Sequence, residues 1–146
     1  MTMSGTRTIA DTELEDVLHA VGLRSTRPRL LVLRFLRERG GHHSADEIQA
    51  ALDAGDQHLL RGSVYHVLAK LMSRRLVMLA DIGPGRALYE SGSPWHHHFV
   101  CRKCEAVQDV PCVEVDQPCL TQTLVGAQVD EAQIIFRGLC ATCVAA

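Results

Sequence analysis

The sequence predicts an α+β protein with a helical first half, a β-hairpin and a small cysteine-rich second half. Three observations carry that prediction. Apolar residues recur at helical spacing through the first half of the chain. Two short apolar runs, Leu76-Val77-Met78-Leu79 and Ala87-Leu88-Tyr89-Glu90, flank the turn residues Gly83-Pro84-Gly85. Two C-x-x-C pairs, Cys101/Cys104 and Cys140/Cys143, are separated by thirty-five intervening residues.

The elements follow in order. Thr12-x-x-Glu15 reads as a capping box for a first helix that carries Leu14, Val17, Leu18 and Val21 and stops at Gly22. A second helix starts near Thr26, tolerates Pro28 in its first turn, buries Leu30, Leu31, Leu33 and Phe35, and ends at Gly40-Gly41. Ser44-x-x-Glu47 is a second capping box, opening a third helix with Ile48, Ala51 and Leu52 inward and Gly55 at its end. A fourth helix runs from about Ser63, with Val64, Val67, Leu68 and Leu71 on one stripe. Short helices followed by a hairpin are the winged helix-turn-helix plan, in which the third and fourth helices form the DNA-reading pair and the hairpin is the wing.

Charge agrees with that division. The net charge is only −2, yet residues 24–39 carry Arg24, Arg27, Arg29, Arg34, Arg37 and Arg39 against the single acid Glu38. Residues 61–75 carry Arg61, Lys70, Arg74 and Arg75 and no acid, whereas from 91 onward three basic side chains face six acidic ones. Only the first half suits a polyanion, although basic runs also serve as solvated helix faces. No apolar segment reaches the ~20 residues of a membrane span, and no secretory h-region follows the polar first ten residues. A cytoplasmic chain is expected, in which paired cysteines stay reduced and hold metal.

Ser91-Gly92-Ser93-Pro94 reads as a hinge, which divides the chain into residues 1–90, a linker at 91–95 and a second domain at 96–146. Short strands are expected at His98–Cys101, Val107–Val110 and Gln133–Phe136, with helical character over 113–125. About fifty residues bury little core alone, so this half needs a metal, a partner subunit or both. Cys101, Cys104, Cys140 and Cys143 supply four thiolates for a structural, tetrahedral Zn(II). The rival reading, a thiol-disulfide redox motif, calls for a thioredoxin-like βαβ setting that the sequence lacks. Cys112 and Cys119 form no C-x-x-C; they are either small buried residues or a peroxide-sensitive thiol pair.

Longer motifs extend the picture. Arg24-x-Thr26-x-x-Arg29, His42-x-Ser44-Ala45-Asp46-Glu47-Ile48 and Ser63-Val64-Tyr65 resemble the ferric-uptake-regulator superfamily, as do His96-His97-His98-x-x-Cys101-x-x-Cys104 and Gly138-x-Cys140-x-x-Cys143. The similarity runs from about residue 12 to 143. It implies a winged-helix DNA-binding domain followed by a small α/β dimerisation domain. It also implies a regulatory metal site built from His42, Glu90, His96, His98 and Asp109. Three imidazoles and two carboxylates suit Fe(II), Mn(II) or Zn(II). Ligands drawn from both domains would fix the two DNA-binding heads of a homodimer, because ligation energy then differs between conformers.

His97 is expected on the opposite strand face, and no histidine follows position 98 to complete an additional site; His19, His43, His58 and His66 read as solvent-exposed. Asp109 in place of glutamate resembles the peroxide-responsive branch, and Thr26-Arg27-Pro28-Arg29 with Cys112/Cys119 resembles actinobacterial catalase-peroxidase repressors. By the resemblance, Arg61, Ser63 and Tyr65 sit on the helix that enters the major groove of an inverted-repeat operator, while Arg24, Arg27 and Arg29 hold phosphate.

The sequence therefore points to a homodimeric, metal-dependent repressor sensing peroxide, with no membrane association and no small-molecule substrate. An Fe(II)- or Zn(II)-responsive uptake repressor is the alternative in the same class. A zinc-ribbon thiol-redox or interaction protein is the alternative of another class; it predicts no operator affinity, against which the basic second and fourth helices argue. With neither a nucleophile–base pair nor a phosphate-cradling glycine loop, the chain is not expected to be an enzyme.

Overall fold

A computed structural model describes residues 8–83, 85–91, 96–111, 125–127 and 133–146. The chain divides into two compact units, Met1–Gly92 and Ser93–Ala146.

The first unit contains α1 (Asp11–Ala20), α2 (Arg27–Arg39), α3 (Ala45–Ala54), α4 (Arg61–Ser73), β1 (Val77–Asp81) and β2 (Ala87–Ser91). α2 is its centre, touching α1, α3, α4 and β2. That position explains why Leu31, Val32, Leu33, Phe35 and Leu36 are all buried, a wider band than a helix packed on one side needs. Leu14 and Leu18 of α1, Ile48 and Leu52 of α3, and Val64, Val67, Leu68 and Leu71 of α4 close the core around it.

Helix starts show two different devices. α3 has the expected box: Glu47 N–H donates to Ser44 Oγ at 3.1 Å, and Ser44 N–H donates to Glu47 Oε2 at 2.8 Å. α1 does not. Its N-cap is Ala10, with no side-chain cap, so Thr12 lies inside the helix rather than ahead of it. Contacts distant in sequence set that start instead. Arg34 of α2 pairs with Asp11, and the Ile9 N–H donates to Glu38 Oε1 at 2.8 Å. Asp11 and Glu13 in the first turn also favour the positive end of the helix dipole.

α4 begins at Arg61, with an extended, exposed Leu60 as N-cap. β1 and β2 pair antiparallel with Met78 opposite Glu90 and Leu79 opposite Tyr89. The hairpin turns through Gly83 (φ 141°) and Gly85 (φ 70°), a backbone that favours glycine. Among the described residues no helix is long and apolar enough to cross a membrane.

The second unit is a three-stranded sheet of β3 (His96–Cys101), β4 (Val107–Pro111) and β5 (Ile135–Gly138), in the order β4-β3-β5, followed by α5 (Ala141–Ala145). β3 pairs antiparallel with β4 and parallel with β5. β5 starts two residues later than the expected Gln133, in the register that sets Gly138 beside Cys101. The helix expected over 113–125 and both Cys112 and Cys119 fall outside the described residues, except Val125, which is in a turn.

Candidate metal centres and nucleic-acid interface

The sheet of the second unit delivers the four cysteines to one place. Cys101 ends β3 and Cys104 lies in the turn after it. Cys140 caps α5, and Cys143 sits one turn into that helix. One Sγ from each lies within 4.8 Å of every other. Cys104 and Cys140 Sγ are 3.8 Å apart, close to the edge of a tetrahedron whose corners sit ~2.3 Å from a central Zn(II). The turn is shaped for this. Glu105 takes a left-handed φ of 62°, Glu105 N–H donates to Cys101 O, and Cys101 N–H donates to Ala106 O.

Backbone amides also prepare the sulfurs. Cys140 N–H points at Cys101 Sγ at 3.4 Å. Backbone N–H groups of Cys104 and then Cys140 pull the Cys101 thiol down to about 6, while the hydrogen bond with Cys140, then burial, push Cys143 up to about 12. Thiols this close share protons because they cannot all ionise without a cation between them. The donor set fits a structural zinc with no open position.

Each unit gathers histidine and carboxylate side chains of its own. In the first, His43 N–H donates to Tyr89 O at 2.9 Å and Tyr89 N–H to His43 O at 2.7 Å. This isolated bridge sets the next pair outward, His42 and Glu90, against each other, with His42 Nε2 3.0 Å from Glu90 Oε2. Glu90 is buried, so its carboxylate requires a cationic or donating partner.

In the second unit His98 stands opposite Asp109 in the β3–β4 register. His96 and His98 project from one face, their ring centroids 4.9 Å apart. Their Nε2 atoms lie 3.4 and 3.8 Å from the same Asp109 Oδ1. Two imidazole nitrogens and a carboxylate oxygen converging at such distances are donors suited to a divalent ion.

His97 points the other way. It is buried, its ring edge-on to Phe136 at 6.5 Å, and burial, then His98 and His96, lower its pKa. His19, His58 and His66 are exposed as expected. His43 is not. Its ring is partly covered, lies edge-on to Phe35 at 5.0 Å and hydrogen-bonds Gly40 O at 2.6 Å. A second histidine beside a ligand candidate gives no sequence signal for such a fold-back.

Of the expected DNA contacts, Arg24, Arg27, Arg61 and Tyr65 are exposed, and Ser63 and Arg29 are partly covered. Arg29 Nη1 donates to Arg24 O at 2.9 Å, which closes the loop before α2. Arg61 lies over the Tyr65 ring at 5.8 Å. Arg34 belongs to the α1–α2 contact and so is not part of a free basic face.

A winged-helix unit joined to a small sheet with a four-cysteine cluster defines a metal-binding regulator of transcription. The ferric uptake regulator family model matches residues 20–135. This chain belongs to that family. It is 37% identical over 128 residues to the transcriptional regulator FurA of Mycobacterium tuberculosis, covering 86% of each chain. It is 26% identical over 137 residues to the peroxide-responsive repressor PerR of Staphylococcus epidermidis, covering 91% of each. Among solved structures, the ferric uptake regulator of Pseudomonas aeruginosa with manganese superposes with a TM-score of 0.68 at 23% identity, over 88% of this chain and 98% of that one. Members are metal-dependent transcriptional regulators that act on DNA as dimers, and are not enzymes. Membership sets aside the thiol-redox alternative.

Proposed function

We propose that this chain is a peroxide-responsive repressor of oxidative-stress genes, binding inverted-repeat operators as a cytoplasmic homodimer. In this reading residues 1–90 bind DNA, 91–95 are the hinge, and 96–146 dimerise and bind metal. Cys101, Cys104, Cys140 and Cys143 hold a structural zinc. His42, Glu90, His96, His98 and Asp109 together hold a regulatory ion. The observation that carries the peroxide reading is Asp109: a short carboxylate whose Oδ1 faces both His96 and His98 Nε2. The similarity to PerR supports it.

The donor set, nitrogen and oxygen without thiolate, accepts Fe(II), Mn(II) or Zn(II). Bound Fe(II) would supply an electron to hydrogen peroxide, which Mn(II) and Zn(II) do not readily do. His42 and His96 are then the rings at risk, and oxidation of either removes a neutral imidazole donor from the set. The two-unit ligand set is thereby broken, and the conformer that fits the operator loses its differential stabilisation. Cys112 and Cys119 offer a second, thiol-based route. An Fe(II)- or Zn(II)-responsive uptake repressor is the other reading, favoured by the same donor set, which serves all three metals.

Operator binding by zinc-loaded protein carrying Mn(II) or Fe(II), before and after micromolar peroxide, separates these. Loss of DNA by the Fe(II) form alone supports histidine oxidation. Loss by both forms assigns the switch to thiols, and loss by neither assigns the chain to metal uptake.

A further inference from the structure

We infer that His43 is a positioning residue for the regulatory metal, folding the loop behind His42 so that His42 meets Glu90. The inference rests on the reading of His42 and Glu90 as metal ligands. Gly40 and Gly41 both take left-handed φ, 61° and 67°. A pair of such glycines ahead of a ligand leaves that ligand on a loop with many unfolded alternatives. The His43 ring closes this loop. Its Nε2–H donates to Gly40 O at 2.6 Å, which fixes the tautomer since a carbonyl only accepts. Its edge packs on Phe35 of α2 at 5.0 Å, and Arg39 covers the same Phe35 ring at 5.3 Å.

The backbone of His43 meanwhile exchanges both bridge hydrogen bonds with Tyr89, one residue before Glu90. On the other side Ser44 caps α3. Ligand, loop staple and helix cap are thus three consecutive residues. The side chain of the middle one ties the ligand to α2, and its backbone ties the ligand to the wing strand. Supporting residues that orient a ligand change metal affinity by about 10–100-fold when removed.

The test is Mn(II) titration of full-length, zinc-loaded protein by calorimetry, with zinc content and metal-free melting temperature recorded for each variant. His43→Ala is expected to weaken Mn(II) binding about tenfold while zinc remains at one equivalent. His43→Gln, whose amide nitrogen can reach the same carbonyl, is expected to recover most of the loss. Phe35→Leu, which keeps the core filled but removes the ring that His43 packs on, is expected to weaken binding in the same direction. A merely structural role for His43 would lower the metal-free melting temperature and leave Mn(II) affinity at 25 °C unchanged; that result overturns the inference. His42→Ala and Glu90→Gln test the site itself. If they bind Mn(II) as wild type does, the ligand reading fails, and His43 fails with it as its positioning residue. If they lose binding and His43→Ala does not, His43 alone is misassigned.

Discussion

Asp46 and Arg61 join the first turns of α3 and α4 through a carboxylate–guanidinium contact of 3.2 Å. Tyr65, then Asp46, favours the charged form of Arg61, whose guanidinium lies over the Tyr65 ring. Both partners of the ion pair are solvent-exposed, so it adds little to stability. Its consequence is orientation of Arg61 and Tyr65 at the start of the helix assigned to the major groove.

Tyr65→Ala should therefore reduce the preference for operator over random duplex, by roughly 1–3 kcal/mol if it loses a base contact. Arg29→Ala should weaken both duplexes alike and lower the salt slope by about one. Fluorescence anisotropy on the two duplexes at several salt concentrations checks this. Equal losses on both duplexes for both variants would sink the assignment.

Ser44→Ala should destabilise the first unit by about 1 kcal/mol, because it strips the cap from α3. Thr12→Ala should cost much less, since Thr12 lies inside α1 and caps nothing. Urea unfolding of both variants separates the two sites, and comparable losses would mean that Thr12 caps its helix after all.

Cys140→Ser should abolish zinc binding and release amide protection across β3, β4 and β5, leaving the helices of the first unit protected. Hydrogen exchange with parallel zinc analysis reads both effects. Full sheet protection without zinc would show that the ion is dispensable to the fold.

Burial, and then Tyr65, raises the pKa of Tyr89 above the ordinary tyrosine value near 10. The unfolded chain then ionises first. Stability conferred by the protonated Tyr89 is full below pH ~10 and declines as pH rises from there through the folded pKa. Tyrosinate absorbance should show Tyr89 titrating late, and Tyr89→Phe should remove that late component and flatten the alkaline fall in stability.

The elements that read true in the sequence are those decided locally. Ser44 and Glu47 box one helix end whatever surrounds them, and the Val64-Val67-Leu68-Leu71 stripe needs only a neighbour. Where the sequence misled, distant contacts had decided. Arg34 and Glu38 set the start of α1 from fourteen residues or more beyond its end, although they look like part of a basic run. Val32 and Leu36 are buried because α2 has neighbours on several sides. The four thiols were legible because C-x-x-C spacing is itself the ligand geometry. His43 was not, since its hydrogen bond to Gly40 depends on two left-handed glycines that spacing alone cannot reveal.

The two halves of the four-cysteine cluster also meet late in the life of the chain. Cys104 and Cys140 are thirty-six residues apart, and β3 needs β5, from the same distant stretch, as its parallel neighbour. A ribosome adding ~5–20 residues per second leaves Cys101 and Cys104 without their partners for roughly two to seven seconds. By then α1 to α4, built from nearer contacts, have their whole sequence available. Newly made molecules thus pass through an interval with a helical head and a bare thiol pair. An oxidant arriving in that interval would strike nascent chains before it met a completed cluster.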